Sequence, residues 1–365
     1  MQTRVVSGSG RRDQGMGREE THLGRDLRGS FPVGLRPVDS EVAACALNAC
    51  GGRNLIVHAG DGWHKDARAG TDAFLPKLID AANAAGIACH LVRAGSRESE
   101  QLLHNPRHYM HLLMGGAPRY APNLLHVEES YIKGFWYLDE TGPFADSTLR
   151  HTQFCPDNVD WGAAEYFFNG VRGWMLEHNV SKAEQAPRNP DALDPARAVV
   201  FLQDIEQDRF RSHYLTNAEM LRTIGEHERS RPVYVKPHPR HDAARRAEIE
   251  SLIGRFPNLR LSDASVHDLI AKADVVVTQN SAAGFEALMQ KKPVVTCAKS
   301  DYRHATLTAR TASELCDGID YGADAMADFP FEKFFYWFLH RHMLEEAKDN
   351  FAKRAMRRIR EKALC

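Results

Sequence analysis

The sequence predicts an α/β protein built on parallel sheets, and two observations carry that prediction. From residue 197 onward, short apolar runs rich in β-branched residues (RAVVFL, RPVYVK, NLRL, DVVVT, PVVTC) alternate with amphipathic segments of helical length. The first half repeats the alternation with NLIVH, IACHLV and NLLHV. Strand–helix–strand repeats call for right-handed crossovers and a parallel sheet, and a chain of 365 residues has room for two such units. In sheets of this kind, ligands sit beyond the carboxyl ends of the strands.

Composition narrows the function. A formal charge of -1 gives no global attraction to nucleic acid. Seven cysteines with no CxxC spacing indicate neither a disulfide framework nor a zinc ribbon, and they fit a reducing cytoplasm. There is no run of 18 apolar residues to span a membrane, and the first residues lack the apolar core of a signal peptide.

Residues 1–30 mix Gly, Ser and charge without apolar period and read as a disordered leader. The first domain, 31–180, has expected strands at Asn54–His58, Ile87–Val92 and Asn123–Val127, with helices at Thr71–Ala85, N-capped by Thr71, and at Glu98–Leu113. Gly60-Asp61-Gly62-Trp63-His64 reads as a loop at a strand's carboxyl end, suited to line an acceptor cleft. His104, His108 and His111 would share one face of the 98–113 helix. Without an HExxH pattern, and with Pro106 interrupting, that face is read as partly exposed and not as a metal site. The third strand runs into Glu128-Glu129-Ser130-Tyr131, where a carboxylate can act as general base or nucleophile or can simply form an acidic turn. Asp157–Glu177 reads as an aromatic helix, broken near Gly170 and Gly173, whose Trp161, Phe167, Phe168 and Trp174 are expected to pack inside. Three prolines mark 181–196 as the linker.

The second domain, 197–320, has expected strands at Arg197–Leu202, Val233–Lys236, Asn258–Leu261, Asp274–Thr278 and Pro293–Cys297. Its helices are expected at Asp242–Phe256, Val266–Ala273, Ala282–Gln290 and Ser313–Ile319. Residues 321–365 form a C-terminal unit read as one long amphipathic helix over 331–363. Its basic last turns complement the helix dipole and permit adsorption to an anionic membrane surface.

These strand ends bring chemistry together. Gln203, His238, Gln279, Asn280 and Ser281 all follow strands directly. Ser281 stands at the N-cap of a helix whose free N–H groups and partial positive charge suit a phosphate, and the small Ala282, Ala283 and Gly284 allow close approach. His238, held between Pro237 and Pro239, can donate to that phosphate as a leaving group departs, and Glu286 can accept from ribose hydroxyls. Tyr302-Arg303-His304 is placed to reach back from a loop.

VVTQNSAAGFEALMQKKPVV resembles the nucleotide-binding end of GT-B glycosyltransferases. KPHP at 236–239 together with QNSAAGFEAL at 279–288 is similar to the capsule polysaccharide biosynthesis family, which includes Kdo transferases. HVEESYIKGFWYLDETGPFADS and VVFLQ fit the same family pattern, with Ser130 and Lys291 standing where glycines are usual. The resemblance implies two Rossmann-like domains facing across a cleft. Lys236, His238, Ser281 and their neighbours would hold CMP, Glu286 would lie near the ribose, and Glu128 or Glu129 would work on the sugar. It further implies a CMP-sugar donor, a lipid-linked or polysaccharide acceptor, no cofactor or metal, and a cytoplasmic enzyme in contact with the inner membrane or the capsule export machinery. The alternatives are a UDP- or GDP-sugar donor, a CDP-linked polyol phosphate donor, or a non-catalytic assembly protein.

Overall fold

The computed structural model describes residues 32–363 except 51, 71–72, 106–107 and 209–210. The leader at 1–30, the cap at Thr71 and the interruption at Pro106 fall outside the described residues. The first part of the chain forms β1 (Leu35–Pro37), α1 (Glu41–Cys50), β2 (Asn54–Ala59), α2 (Asp61–Ala69), α3 (Phe74–Ala84), β3 (Ala88–Arg93) and α4 (Arg97–Leu103). It continues with β4 (Met110–Met114), β5 (Leu124–Glu129), β6 (Phe135–Asp139) and α5 (Trp161–Glu177). The second part forms β7 (Ala196–Phe201), α6 (Asn217–His227), β8 (Val233–Lys236), α7 (Ala243–Ile253), β9 (Leu259–Leu261), α8 (Val266–Lys272) and β10 (Ala273–Thr278). Next come α9 (Ala282–Met289), β11 (Val294–Thr296), β12 (Leu307–Thr308), α10 (Ala312–Ala325), α11 (Phe331–Phe335), β13 (Leu344–Glu345) and α12 (Phe351–Lys362).

Two sheets result, ordered β1-β3-β2-β4-β5-β6-β13 and β12-β11-β10-β7-β8-β9. The second is parallel throughout; the first is parallel from β1 to β5, with β6 and β13 antiparallel. Val199–Phe201 and Val275–Thr278 are buried on both faces because helices cover both sides of their sheet, so these strands are continuously apolar and do not alternate. In each sheet the order reverses beside the first central strand, between β7 and β10 in the second domain and between β2 and β4 in the first. Crevices open at such reversals.

Four expectations for the first domain need correction. The helix over 98–113 ends at Leu103, and Met110–Met114 is a central strand, so His104, His108 and His111 share no helical face. His111 instead lies in β4 with its Nδ1 2.9 Å from Nε2 of buried His58. Among the described residues no cluster could hold a metal ion. The Gly60–His64 loop is the start of α2, and α5 runs unbroken through Gly170 and Gly173. Trp161 and Trp174 on α5 are exposed, while Phe168 is buried.

The long helix over 331–363 is divided. A π-helical turn at Tyr336–Arg341 follows α11, β13 pairs antiparallel with β6, and α12 packs into the first domain's core beside Phe74, Leu75 and Leu78. The break follows from what each half must bury. Phe335 and Phe338 lie 4.8 Å, ring to ring, from Phe285 of α9, whereas Phe351, Ala355 and Ile359 belong to the other domain. Part of the basic face caps the junction: Arg354 donates to the His340 and Met343 carbonyls at 2.6 and 2.8 Å, and Arg358 donates to Arg341.

Lys291 sits at φ 55°, the left-handed conformation that glycine adopts most readily. Its ammonium pairs with Glu332, which anchors the start of α11.

Candidate functional site

The carboxyl ends of the two sheets face a shared cleft of about 820 Å³. From the first domain, Gly116–Pro118 after β4 and Ser130–Tyr131 after β5 line it. From the second come Gln203 after β7, Asn280–Ala282 after β10 and Lys299 after β11. Gln203 and Asn280 bridge the reversal between β7 and β10. The Asn280 N–H donates to Gln203 Oε1 at 2.6 Å, and Gln203 Nε2 donates to Asn280 Oδ1 at 3.1 Å. Asn280 Nδ2 also donates to the Lys299 carbonyl at 2.7 Å, so three strand ends are fastened together.

Ser281 N-caps α9 with extended backbone, but its hydroxyl caps nothing. Its Oγ is buried without a hydrogen-bond partner at the cleft wall, where the first amides of α9 are also free. A buried hydroxyl left open at a helix N-terminus suits an anionic oxygen. Ala282 lines the same wall, whereas Ala283 packs on the core between the domains. Gly284 is glycine for a different reason from the one expected. A Cβ there would lie 2.8 Å from the Thr278 methyl and 2.9 Å from the Tyr302 hydroxyl, so the residue permits packing of α9 on β10.

His238 is half-buried in the turn after β8 and is not among the residues that line the cleft, although Arg240, two positions on, is; its Nδ1 accepts the Arg240 N–H at 3.3 Å. Burial, together with the positive charge of Arg240 and His241, lowers its pKa to about 4. The ring is therefore neutral at pH 7, with the proton on Nε2 free to be donated.

Other expected contacts are already engaged within the fold. Lys236 Nζ donates to the Asp263 and Ala264 carbonyls at 3.1 and 2.6 Å. Gln279 is fully buried and donates to the Leu215 carbonyl at 2.9 Å. Glu286, 1 % exposed, accepts from Ser181 Oγ at 2.8 Å and from the Lys182 N–H at 3.2 Å, and burial pushes its pKa up to about 7. Tyr302 is buried and donates to the Ser281 carbonyl, Arg303 donates to the Arg150 carbonyl, and His304 packs edge-to-face on Trp337, so that loop braces the site from behind.

On the first domain, Glu128 and Glu129 are adjacent in β5 and so point to opposite faces. Glu129 is engaged at both oxygens, accepting the Gly134 N–H at 3.1 Å and pairing with Lys182 Nζ at 2.6 Å. Glu128 is half-buried, and burial raises its pKa against the nearby Lys182 charge and a hydrogen bond from Trp63. Tyr131 and Tyr137 both donate at 2.7 Å to Asp301 of the second domain, a fully buried carboxyl raised to about 7 by its burial.

Four cations line the cleft, Lys182, Arg211, Arg240 and Lys299, and none was anticipated from sequence. Arg240 and Lys299 each lie within four residues of a strand end, the same positional signal that marked His238 and Ser281. Arg211 follows no strand or helix closely, and no sequence signal marks it. The Arg240 and Lys299 side chains make no hydrogen bond or ion pair among the described residues.

Two Rossmann-like sheets with facing carboxyl ends, tied by a crossover and by a C-terminal segment that returns to the first, define a GT-B-like fold. Residues 196–315 match the model of the family described as capsule polysaccharide biosynthesis protein. The KPHP and QNSAAGFEAL motifs that carry the resemblance both lie inside the match. No curated protein matches the sequence. Among solved structures, the chain is similar to the KpsC β-Kdo 2,7 transferase of Thermosulfurimonas dismutans, at 19% identity and a TM-score of 0.47 over 73% of this chain and 90% of that one. It is also similar to that organism's KpsC β-Kdo 2,4 transferase (17%, TM-score 0.43, 72% and 88%) and to a variant of the wall teichoic acid polymerase TagF (11%, TM-score 0.32, 84% and 89%).

Proposed function

We propose that the protein is a glycosyltransferase of capsular or surface polysaccharide biosynthesis that transfers a Kdo-like sugar from a CMP-activated donor. The observation that carries this reading is the second-domain cleft wall, where the open Ser281 hydroxyl, the first amides of α9 and two uncommitted cations converge on one side of a cleft between two domains. A donor with a phosphate and an acidic sugar carries two anionic groups, which suits several cations and a helix N-terminus better than it suits a neutral sugar.

In this mechanism an acceptor hydroxyl attacks the anomeric carbon, the bond from that carbon to the phosphate oxygen breaks, and its electron pair leaves with CMP. The α9 amides, Ser281 and His238 Nε2–H stabilise the departing phosphate, so the charge is met without a cofactor. Glu128 takes the hydroxyl proton, because its carboxylate is free of the ion pair that occupies Glu129. The acceptor is a lipid-linked or growing polysaccharide, and the enzyme works in the cytoplasm at the inner membrane, in contact with the export machinery. No helix among the described residues is long and apolar enough to cross a membrane, so such contact would be peripheral.

Calorimetric titration with CMP, UDP and GDP, repeated on His238→Ala and Ser281→Ala, tests the reading. Selective CMP binding, weakened about tenfold or more in each variant, is expected from loss of one hydrogen bond to a charged group. Binding of UDP or GDP in its place would overturn the CMP assignment, and binding of none would favour a non-catalytic assembly role.

A further inference from the structure

The crossover between the domains makes a two-ended contact that donor binding alone does not require. Lys182 lies in the segment between α5 and β7, and its ammonium has three hydrogens to donate. All three are used at the end of β5: Glu129 Oε2 at 2.6 Å, the Glu129 carbonyl at 3.1 Å and the Ser130 carbonyl at 2.9 Å. The other end of the same residue, its backbone N–H, donates at 3.2 Å to the buried Glu286 of α9, which also accepts from Ser181. The helix that bears Ser281 at its N-terminus and the strand that bears the paired carboxylates are thus joined through one residue.

We infer that Lys182 is a positioning residue that registers the Glu128–Glu129 strand end on the donor-binding helix α9. This rests on the reading of the cleft as the donor site. The ammonium lines the cleft, yet all its hydrogens are donated to the protein, so it fixes the strand end and leaves the substrate to Arg240, Lys299 and α9. An isolated surface ion pair would contribute little, but this one also holds two main-chain carbonyls at the edge of the cleft. Glu286 takes a matching role: its carboxylate anchors the crossover to α9, and Ser181, which is 6 % exposed, seals it.

The test is hydrogen exchange on the full chain with and without CMP, together with turnover of a CMP-linked acidic sugar, for wild type, Lys182→Met and Lys182→Arg. In the wild type, CMP is expected to slow exchange both at the start of α9 and at 128–135. In Lys182→Met it should slow exchange only at α9, with CMP affinity within about twofold of wild type and kcat lower by ~10²-fold, the cost of slight misplacement of a catalytic group. Lys182→Arg, which keeps the charge and reaches the same carbonyls, should recover part of kcat and guards against a loss caused by misfolding. Retained protection at 128–135 in Lys182→Met overturns the inference, as does a rise in donor KM with kcat unchanged. If CMP protects nothing in the wild type, the donor reading falls and the inference falls with it; protection at α9 alone in the wild type overturns the inference and leaves that reading standing.

Discussion

Ser281 and Glu286 sit on the same short helix and make opposite predictions. The Ser281 hydroxyl is buried with no partner, so the fold bears its desolvation without return. Ser281→Ala should therefore melt at or slightly above the wild-type temperature while losing nucleotide affinity; a clear drop in Tm would mean that the hydroxyl serves the fold. Glu286 carries a charge cost. Its folded pKa, about 7, lies above its ordinary value of 4.5, so the folded state binds the extra proton between those values and stability falls as pH rises through that window. Glu286→Gln keeps the acceptor for Ser181 and Lys182 but removes the charge. Denaturant unfolding should show it more stable than wild type at pH 8, by up to about 3 kcal/mol, and equal to wild type near pH 4.5. An equal difference at both pH values would place the effect elsewhere.

At the scale of elements, β2 and β4 carry a buried histidine pair, with His58 Nδ1 2.9 Å from Ser99 Oγ and its Nε2 2.9 Å from His111. Burial holds both rings neutral, with His111 lowered to about 4 and His58 lowered first by desolvation and then by the charge of His111. Because the folded pKa lies below the unfolded one, the unfolded chain binds more protons, and stability is lost as pH falls from about 6.5 towards 4. Thermal unfolding at pH 7, 5.5 and 4.5 should show that loss, with a shallower slope in His111→Gln; an unchanged slope would exonerate the pair. The same strands show where sequence reading succeeds and fails. In the second domain β7, β8, β10 and β11 were legible to within one or two residues, because they are rich in β-branched residues, almost wholly buried and bounded by turn residues, whereas the two-residue, partly exposed edge strand β12 was missed. Met110–Met114 was not, because a strand buried on both faces has no period of two, and histidines at 104, 108 and 111 imitate a helical face. The C-terminal break was hidden as well, since the two halves bury against different domains. Asn280 and Ser281, which line the cleft, follow a strand and could be placed there from sequence, but the contacts of Lys182 to Glu129 and to Glu286 span 53 and 104 positions and leave no local pattern.

For the whole molecule, the domains share one apolar core. Tyr131, Phe135 and Tyr137 of the first domain meet Phe285, Phe334, Phe335 and Phe338 there. Phe285 is fully buried, its ring 5.0 Å from Tyr131 and 4.8 Å from Phe338. Phe285→Ala should cost about 3–5 kcal/mol and split a single calorimetric transition into two, since the domains would lose the contact that makes them unfold together. One cooperative transition in the variant would show that the interface is not what couples them.

The return of the chain to the first domain bears on how the gene can be divided. The backbone passes from the first sheet to the second ahead of β7 and comes back at β13, which covers the edge of β6, before α12 closes the hydrophobic core beneath. Translation of residues up to 188 as one polypeptide and the remainder as another would leave the first with an open edge and the second with the piece that fits it. Two such open reading frames should give halves that are insoluble apart and assemble when made together, each completing the other through a borrowed strand.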